Sequence, residues 1–334
     1  MSFSPSSSIN GIYREELSPW ENFNMAMDAQ GFVAHRVLPY LEVGAQSGSF
    51  FKFVAKELVK GGDGEDVRHE GGYKRFDMRY TDDSFNTKDH GVEIPVGNRM
   101  TAICRNYFEM EQVAAREALL AILRNQERRV ADAIFNATTW SGATLTTAVT
   151  NEWDDFANAT PIADVMAAKD HINLATGLKA NALICNQKVF DNLVQCAQVV
   201  DRVKYQDFHD VSMGSFGVNA VAQMLNLQHI LVAGGVYNSA NDGQAFSASR
   251  LWSDEYAMVA RIAVPDEPNG EIAKVAPSLG RILHWGEDGS QAGGVIESYG
   301  DSPTRATIIR ARMDTQEKIT LVEAGHLLSN ITAP

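Results

Sequence analysis

The spacing of apolar positions changes several times along this chain, and each change marks a different kind of element. The first thirty residues carry isolated apolar anchors, Phe3, Ile9, Tyr13, Trp20, Phe23, Met25 and Met27, in a Ser-, Pro- and Asn-rich background. That spacing is too sparse for a core, so residues 1–30 are expected to form an arm that a neighbouring surface must hold. From residue 50 to 96 the period becomes two: Phe51 and Phe53 flank Lys52, and Phe76, Met78 and Tyr80 alternate with Asp77, Arg79 and Thr81. This is the period of half-buried strands, and Gly61-Gly-Asp-Gly-Glu-Asp and Gly71-Gly72 between them suit a hairpin link. A lone two-stranded hairpin is marginal in water, so this one also needs a surface to lie on.

Residues 101–136 contain neither Gly nor Pro, are rich in Ala, Leu, Arg and Glu, and set Leu119, Leu123, Val130 and Ile134 along one face. A single helix is expected there, about 50 Å long at roughly 1.5 Å per residue. After a Thr-rich connection at 137–150 the pattern alternates. A helix at 161–175 stops at Gly177, a strand follows at 181–186, then a helix at 187–197, and a further helix at 215–225 feeds a strand at Ile230. Strand-like runs then dominate, at 251–262, 279–285, 295–299, 307–313 and 319–322. The predicted fold class is α+β rather than a regular βα alternation, and no internal repeat is present.

Composition narrows the function classes. A chain of 334 residues with 45% hydrophobic and 21% charged residues is globular and long enough to bury a sizeable core. Its net charge of −13 argues against an electrostatic grip on nucleic acid, which Lys and Arg must supply. No apolar run approaches the roughly 18 to 20 residues of a membrane span, and the first residues lack the basic flank and apolar stretch of a signal peptide. Cys104, Cys185 and Cys196 are odd in number and lie in apolar surroundings, as buried thiols of a reducing compartment do.

The candidate chemistry is thin. In ILVAGGVYNSANDG (230–243) paired glycines end an apolar run, but the G-x-G-x-x-G spacing is missing and no helix former follows, so a strand and a turn are expected. No P-loop occurs. His69-Glu70 lacks the second histidine of a zinc helix and is followed by two glycines. Asp63, Glu65 and Asp66 lack the spaced ligands and closing Glu of a calcium loop. There is no G-x-S-x-G elbow, and the eight histidines are scattered with no nucleophile beside them. Arg124, Arg128 and Arg129 give the long helix a basic face, interleaved with Glu127 and Asp132, and read as a solvated or subunit-facing stripe. No catalytic residue, cofactor or metal site is assigned.

The order of parts, a polar arm, an extended hairpin, one long helix and an α+β lobe with a strand-rich return, resembles the major capsid proteins of tailed bacteriophages. Their fold is the HK-ninety-seven type, shared with encapsulins. Phe32-Val-Ala-His-Arg-Val-Leu-Pro-Tyr-Leu-Glu-Val looks like its leading strand, and residues 101–136 look like its spine helix. Thr176-Gly-Leu-Lys-Ala-Asn-Ala-Leu-Ile-Cys-Asn with Val189-Phe-Asp-Asn-Leu is similar to its axial domain, and Ala324-Gly-His-Leu-Leu-Ser-Asn-Ile to its ending. The likeness spans nearly the whole chain.

The resemblance implies an N-terminal arm at 1–30, an extended loop at 50–95 and a peripheral domain with the spine helix at 31–49 and 96–159. It further implies an axial domain at 160–290 and return strands at 291–334. It implies a structural protein of the virion capsid, not an enzyme, assembled in the bacterial host cytoplasm as pentamers and hexamers that enclose DNA without reading its sequence and without a membrane. No helical scaffolding segment precedes the arm, so either a processed form or, as the chain begins with Met1, a separate scaffold protein is expected, with a portal and decoration proteins as further partners. Lys52, Lys56, Lys60, Lys74 and Lys88 leave room for the lysine-to-asparagine cross-links some relatives make, without selecting them. The expected assembly residues are Phe3, Ile9, Tyr13 and Trp20 of the arm, Phe51, Phe53, Phe76, Met78 and Tyr80 of the loop, and Arg124, Arg128 and Arg129 of the helix. The alternatives are an encapsulin-like nanocompartment shell, an α+β hydrolase or nucleotide-binding protein, and a small-oligomer binding module.

Overall fold

The structure, a computed structural model, describes residues 12–13, 30–59, 79–104, 109–204, 217–241, 243–264 and 277–333. Its largest sheet is built from six strands: β1 (Ile12–Tyr13), β2 (Tyr40–Val43), β5 (Lys88–Gly97), β12 (Gly280–Trp285), β13 (Val295–Asp301) and β14 (Ala306–Ile319). β14 is the axis of this sheet. One edge pairs antiparallel with β5 from Ala306 to Thr315, while the other pairs first with β13 and then with β12, which β2 extends in parallel. Two separate strand-like runs at 307–313 and 319–322 were expected, because Asp314-Thr-Gln-Glu-Lys between them is polar. The structure corrects this to one 14-residue strand, with Asp314 and Thr315 buried within it.

The long helix is also corrected. It is two helices, α3 (Asn98–Cys104) and α4 (Met110–Ile134), and Glu109 before the second has extended backbone. At 25 residues α4 is about 37 Å long rather than 50. Its buried face, Ala114, Ala115, Ala118, Ile122, Leu123, Val130, Ala131 and Ile134, packs in one core with Ile309, Ala311 and Met313 of β14. Each large aliphatic side chain so buried contributes about 1.5–3 kcal/mol, which adds tertiary stability to a helix already rich in good helix formers. The helix ends where Trp140 Nε1 donates to the carbonyl of Ile134.

A second sheet has five strands in the order β6 (Thr146–Ala148), β15 (Gly325–Ser329), β11 (Ala257–Ala260), β7 (Ala182–Asn186) and β8 (His229–Ala233). Its central strands are buried on both faces, and alternate residues serve different cores. Ala182, Ile184, Met258, Ala260 and Leu327 face the core shared with α4, while Leu183, Cys185, Ala257, Val259 and Leu328 face a second core. Burial on both faces explains why these strands read as continuous apolar runs.

Helices α5 (Pro161–Thr176), α6 (Gln187–Gln195) and α8 (Val218–Met224) contribute to the second core. α5 starts on Pro161 and ends on Gly177, whose φ of +69° is the left-handed cap that glycine adopts without strain. α6 is capped by Asn186, whose side chain accepts from the Val189 N–H, and Cys196 separates it from α7 (Ala197–Lys204). The glycine pair after β8 leads directly into β9 (Val236–Asn238), which pairs with β10 (Ala248–Arg250). The strand expected over 251–262 is confined to β11.

The sheets cut across the segment limits drawn from the sequence. β12, inside residues 160–290, belongs to the large sheet, whereas β6 and β15, outside that range, belong to the five-stranded one. Residues 32–43, read as a leading strand, form a helical turn α1 (Ala34–Val37) followed by β2.

Candidate assembly surfaces

Strands β3 (Ser47–Phe53) and β4 (Tyr80–Asn86) form a two-stranded sheet of their own, in register from Ser47 opposite Asn86 to Phe53 opposite Tyr80. Period-two alternation gives this hairpin two unlike faces. One carries Phe50 and Phe85, half-buried and 6.3 Å apart, together with Lys52 and Asp83. Asp83 pairs with Lys52 and, at 2.9 Å, with Lys318 of β14. Lys318 also donates to the Ser84 carbonyl, and the Asn86 N–H donates to Gln316. Burial would raise the Asp83 carboxyl, but the two ammonium groups outweigh it and hold the pKa down at about 2. On the other face Phe51 is 73% exposed and Tyr80 51%, their rings 6.0 Å apart. An exposed aromatic pair on a strand is the usual mark of a surface that another chain covers. Phe76 and Met78 lie outside the described residues, as do Asp63, Glu65 and Asp66.

Of the arm, β1 adds a short antiparallel strand to the edge of β13, with Ile12 opposite Ser298 and Tyr13 opposite Glu297. Phe3, Ile9 and Trp20 lie outside the described residues. The root of the arm is locked. Gly31, at φ +65°, lies so close to Gly234 that a Cβ would come within 2.9 Å of its backbone, and the Gly234 N–H donates to the Gly31 carbonyl at 2.9 Å. Arg124 donates to the Gln30 side chain.

Next to it, Glu127 accepts from the N–H groups of Val33 and Ala34 at 3.0 and 2.8 Å and from Trp252 Nε1 at 2.7 Å. Glu127 is therefore buried, not part of a solvated stripe, because three donors from two distant segments converge on it. Burial pushes its pKa upward and the three donors hold it back. No sequence signal separates this glutamate from its surface neighbours.

The three arginines do not form one face. Arg124 has a buried Nε with no hydrogen-bond partner among the described residues. Arg129 turns inward to Glu317 at 2.9 Å and to Thr315. Arg128 alone is well exposed, lying 4.9 Å from the Tyr237 ring centroid with Asp132 one turn away.

The sheet face opposite α4 carries a charge cluster that sequence reading missed. Glu297 lies between Arg310 and Arg312, Arg312 also reaches Asp288 at 2.5 Å, and Tyr299 donates to Glu93. Register explains it, since Ile309, Ala311 and Met313 point into the core and the residues between them point away. Burial raises the Glu297 carboxyl, but the two guanidinium groups prevail and hold it below the ordinary range. Two of the scattered histidines also meet. His171 and His326 stack in parallel at 4.8 Å, with His326 Nδ1 facing the Thr144 carbonyl. Among the described residues no group of three or more His, Cys, Asp or Glu could hold a metal ion, and no helix is long and apolar enough to cross a membrane.

No protein-family model matches the chain. Curated proteins do. It is 22% identical over 307 residues to the major capsid protein of Pseudomonas phage JBD67, covering 90% of this chain and 92% of that protein. This chain is related to phage major capsid proteins. The major capsid protein of Burkholderia phage BcepMu is 21% identical over 306 residues, 90% of this chain and 91% of that one. Among solved structures, a phage-related protein from Bordetella bronchiseptica superimposes with a TM-score of 0.71 at 17% identity, over 97% of this chain and 99% of that chain. The α+β architecture is thus the phage capsid fold.

Proposed function

We propose that the protein is the structural subunit of a phage head, which self-assembles as pentamers and hexamers into a closed shell around double-stranded DNA. The observation that carries this reading is that the likeness to major capsid proteins runs through about nine-tenths of both chains. In this reading α4 and the six-stranded sheet are the peripheral domain, and the five-stranded sheet with α5 to α8 is the axial domain. The hairpin lays Phe51 and Tyr80 on an adjacent subunit, and Phe53, Phe76 and Met78 extend that contact. The arm anchors Phe3, Ile9, Tyr13 and Trp20 fasten onto neighbours, and Arg128 is the one arginine of the three left to face another subunit. A shell held by many modest contacts needs no catalytic site, because each contact is reinforced by those already made.

A scaffold protein, a portal and decoration proteins complete the assembly, which takes place in the host cytoplasm. An acidic wall fits such a container, since a strongly basic one would hold the packaged phosphates. The test is to express the chain in a bacterium, alone and with the other head genes of its phage, and examine the particles by negative-stain electron microscopy. Closed shells, or rings of five and six that close when the scaffold is present, are expected. A chain that stays monomeric or dimeric under all these conditions would overturn the reading, and shells filled with a protein cargo in place of DNA would move it to a nanocompartment.

A further inference from the structure

Helix α5 covers the second core with Ile162, Val165, Ala168 and Ile172 and leaves its other face bare. Met166 is 57% exposed and Leu174 73%, in one stripe with the exposed Ala163, Ala167, Asp170 and Asn173. Beside the stripe lies a groove of about 760 Å³ whose lining includes Lys169, Lys179 and Arg261 against a single carboxylate, Asp170. Lys169 is fixed there by the carbonyls of Leu225 and Asn226, each at 2.9 Å. Neither Lys179 nor Arg261 has an ion-pair partner among the described residues. In a chain of net charge −13 this groove is a local reversal of sign.

The opposite sign stands before the other end of the same helix. The loop at 152–158 carries Glu152, Asp154 and Asp155 beside Phe156, which is 39% exposed. It is held rigidly. Trp153 is fully buried and donates through Nε1 to Asp164 and through its N–H to the Ile331 carbonyl, while the Ala197 N–H donates to the Phe156 carbonyl. Sixteen helical residues, about 24 Å, separate this loop from the far end of α5 beyond which the groove's Lys179 lies.

From this we infer that the acidic loop at 152–158 of one copy docks on the cationic groove and bare α5 stripe of the next, in a head-to-tail contact. The inference rests on the shell reading and names one of its contacts. The loop precedes the first residue of α5 and Lys179 follows its last, so these two charges cannot satisfy each other within a chain. Between copies they can, and a contact of this heterologous kind closes into rings when the rotation allows. Charge complementarity fixes the register, Phe156 against Met166 and Leu174 adds apolar burial, and the rigidity of the loop keeps the ordering cost low.

The test is charge reversal on each side, Asp155→Lys in the loop and Lys179→Glu at the groove, with assembly followed by light scattering against concentration. Both positions are exposed, and an unchanged urea midpoint checks folding. Each single variant is expected to raise the concentration needed for assembly about tenfold, and the double variant to return it to within about threefold of wild type. Single variants that assemble like wild type, a double variant worse than either, or an effect of the groove variant alone would each overturn the proposal; the last would assign the groove to a different partner. A chain carrying Asp155→Cys and Lys179→Cys, oxidised at high concentration, reads the contact even where no shell closes. A ladder of disulfide-linked oligomers supports it, and monomer alone overturns it. Failure of wild type to form shells counts against the proposed function, not against this contact.

Discussion

At the seam between α4 and the root of the arm, the Glu127 carboxylate takes donors from Val33, Ala34 and Trp252, and on the same helix Arg129 meets Glu317. The outward face of the hairpin β3–β4 differs, for two large aromatic side chains stand exposed there, Phe51 at 73% and Tyr80 at 51%. The seam is what a subunit needs in order to fold; the hairpin face is what it needs a neighbour for. Substitutions at the two places therefore separate folding from assembly.

The largest effect is expected at the seam. Glu127→Ala leaves two backbone N–H groups and an indole N–H buried without an acceptor, and is expected to cost about 3–5 kcal/mol of folding stability, read as a lower urea midpoint. A loss below about 1 kcal/mol would mean that water or a neighbouring group replaces the carboxylate. Next comes the hairpin. Phe51→Ser combined with Tyr80→Ser is expected to leave the urea midpoint unchanged while weakening each intersubunit contact by about 2–3 kcal/mol, read as a rise in the assembly concentration. A lower urea midpoint with normal assembly would reverse the comparison.

A smaller effect is expected at Gly31. An added Cβ there meets the Gly234 backbone, and the positive φ is strained for alanine, so Gly31→Ala is expected to cost about 1–3 kcal/mol. The smallest belongs to Asp83. Its carboxyl is held at about 2, below the ordinary carboxylate value, so the stability it contributes is present above pH 4 and lost as pH falls toward 2. Since the group is partly exposed, that contribution is below about 1 kcal/mol, and Asp83→Asn is expected to flatten the acid limb of the stability curve in that window. An unchanged acid limb in the Asn variant would show that Lys52 and Lys318 do not anchor the hairpin through it.

Much of the axial half was legible because local chemistry marks its boundaries. Pro161 and Gly177 bracket α5, Asn186 caps α6, and the apolar runs of β7 and β8 are those of strands buried on both faces. The long helix was legible in kind but not in extent, since nothing in the sequence from Asn106 to Glu109 is a helix breaker, yet Glu109 has extended backbone. β14 was split in two for the converse reason: Asp314 to Lys318 look like a loop, yet paired strands on both edges absorb them. The hairpin's aromatic face was visible as a period of two. Glu127 was not visible, because a glutamate among arginines on a helix carries the pattern of a solvated face whether or not donors from residues 33, 34 and 252 converge on it. The charge cluster on Glu297 and the stacked histidines depend in the same way on register and on contacts distant in sequence.

The most direct measurement is sedimentation velocity of wild type and the Phe51→Ser, Tyr80→Ser variant side by side over rising concentration. A shell subunit predicts that wild type passes abruptly from a slow species to particles of capsid size, while the equally stable variant stays slow at the same concentrations. Wild type that remains a monomer or dimer throughout, or a variant that forms the same particles at the same concentration, would contradict the account.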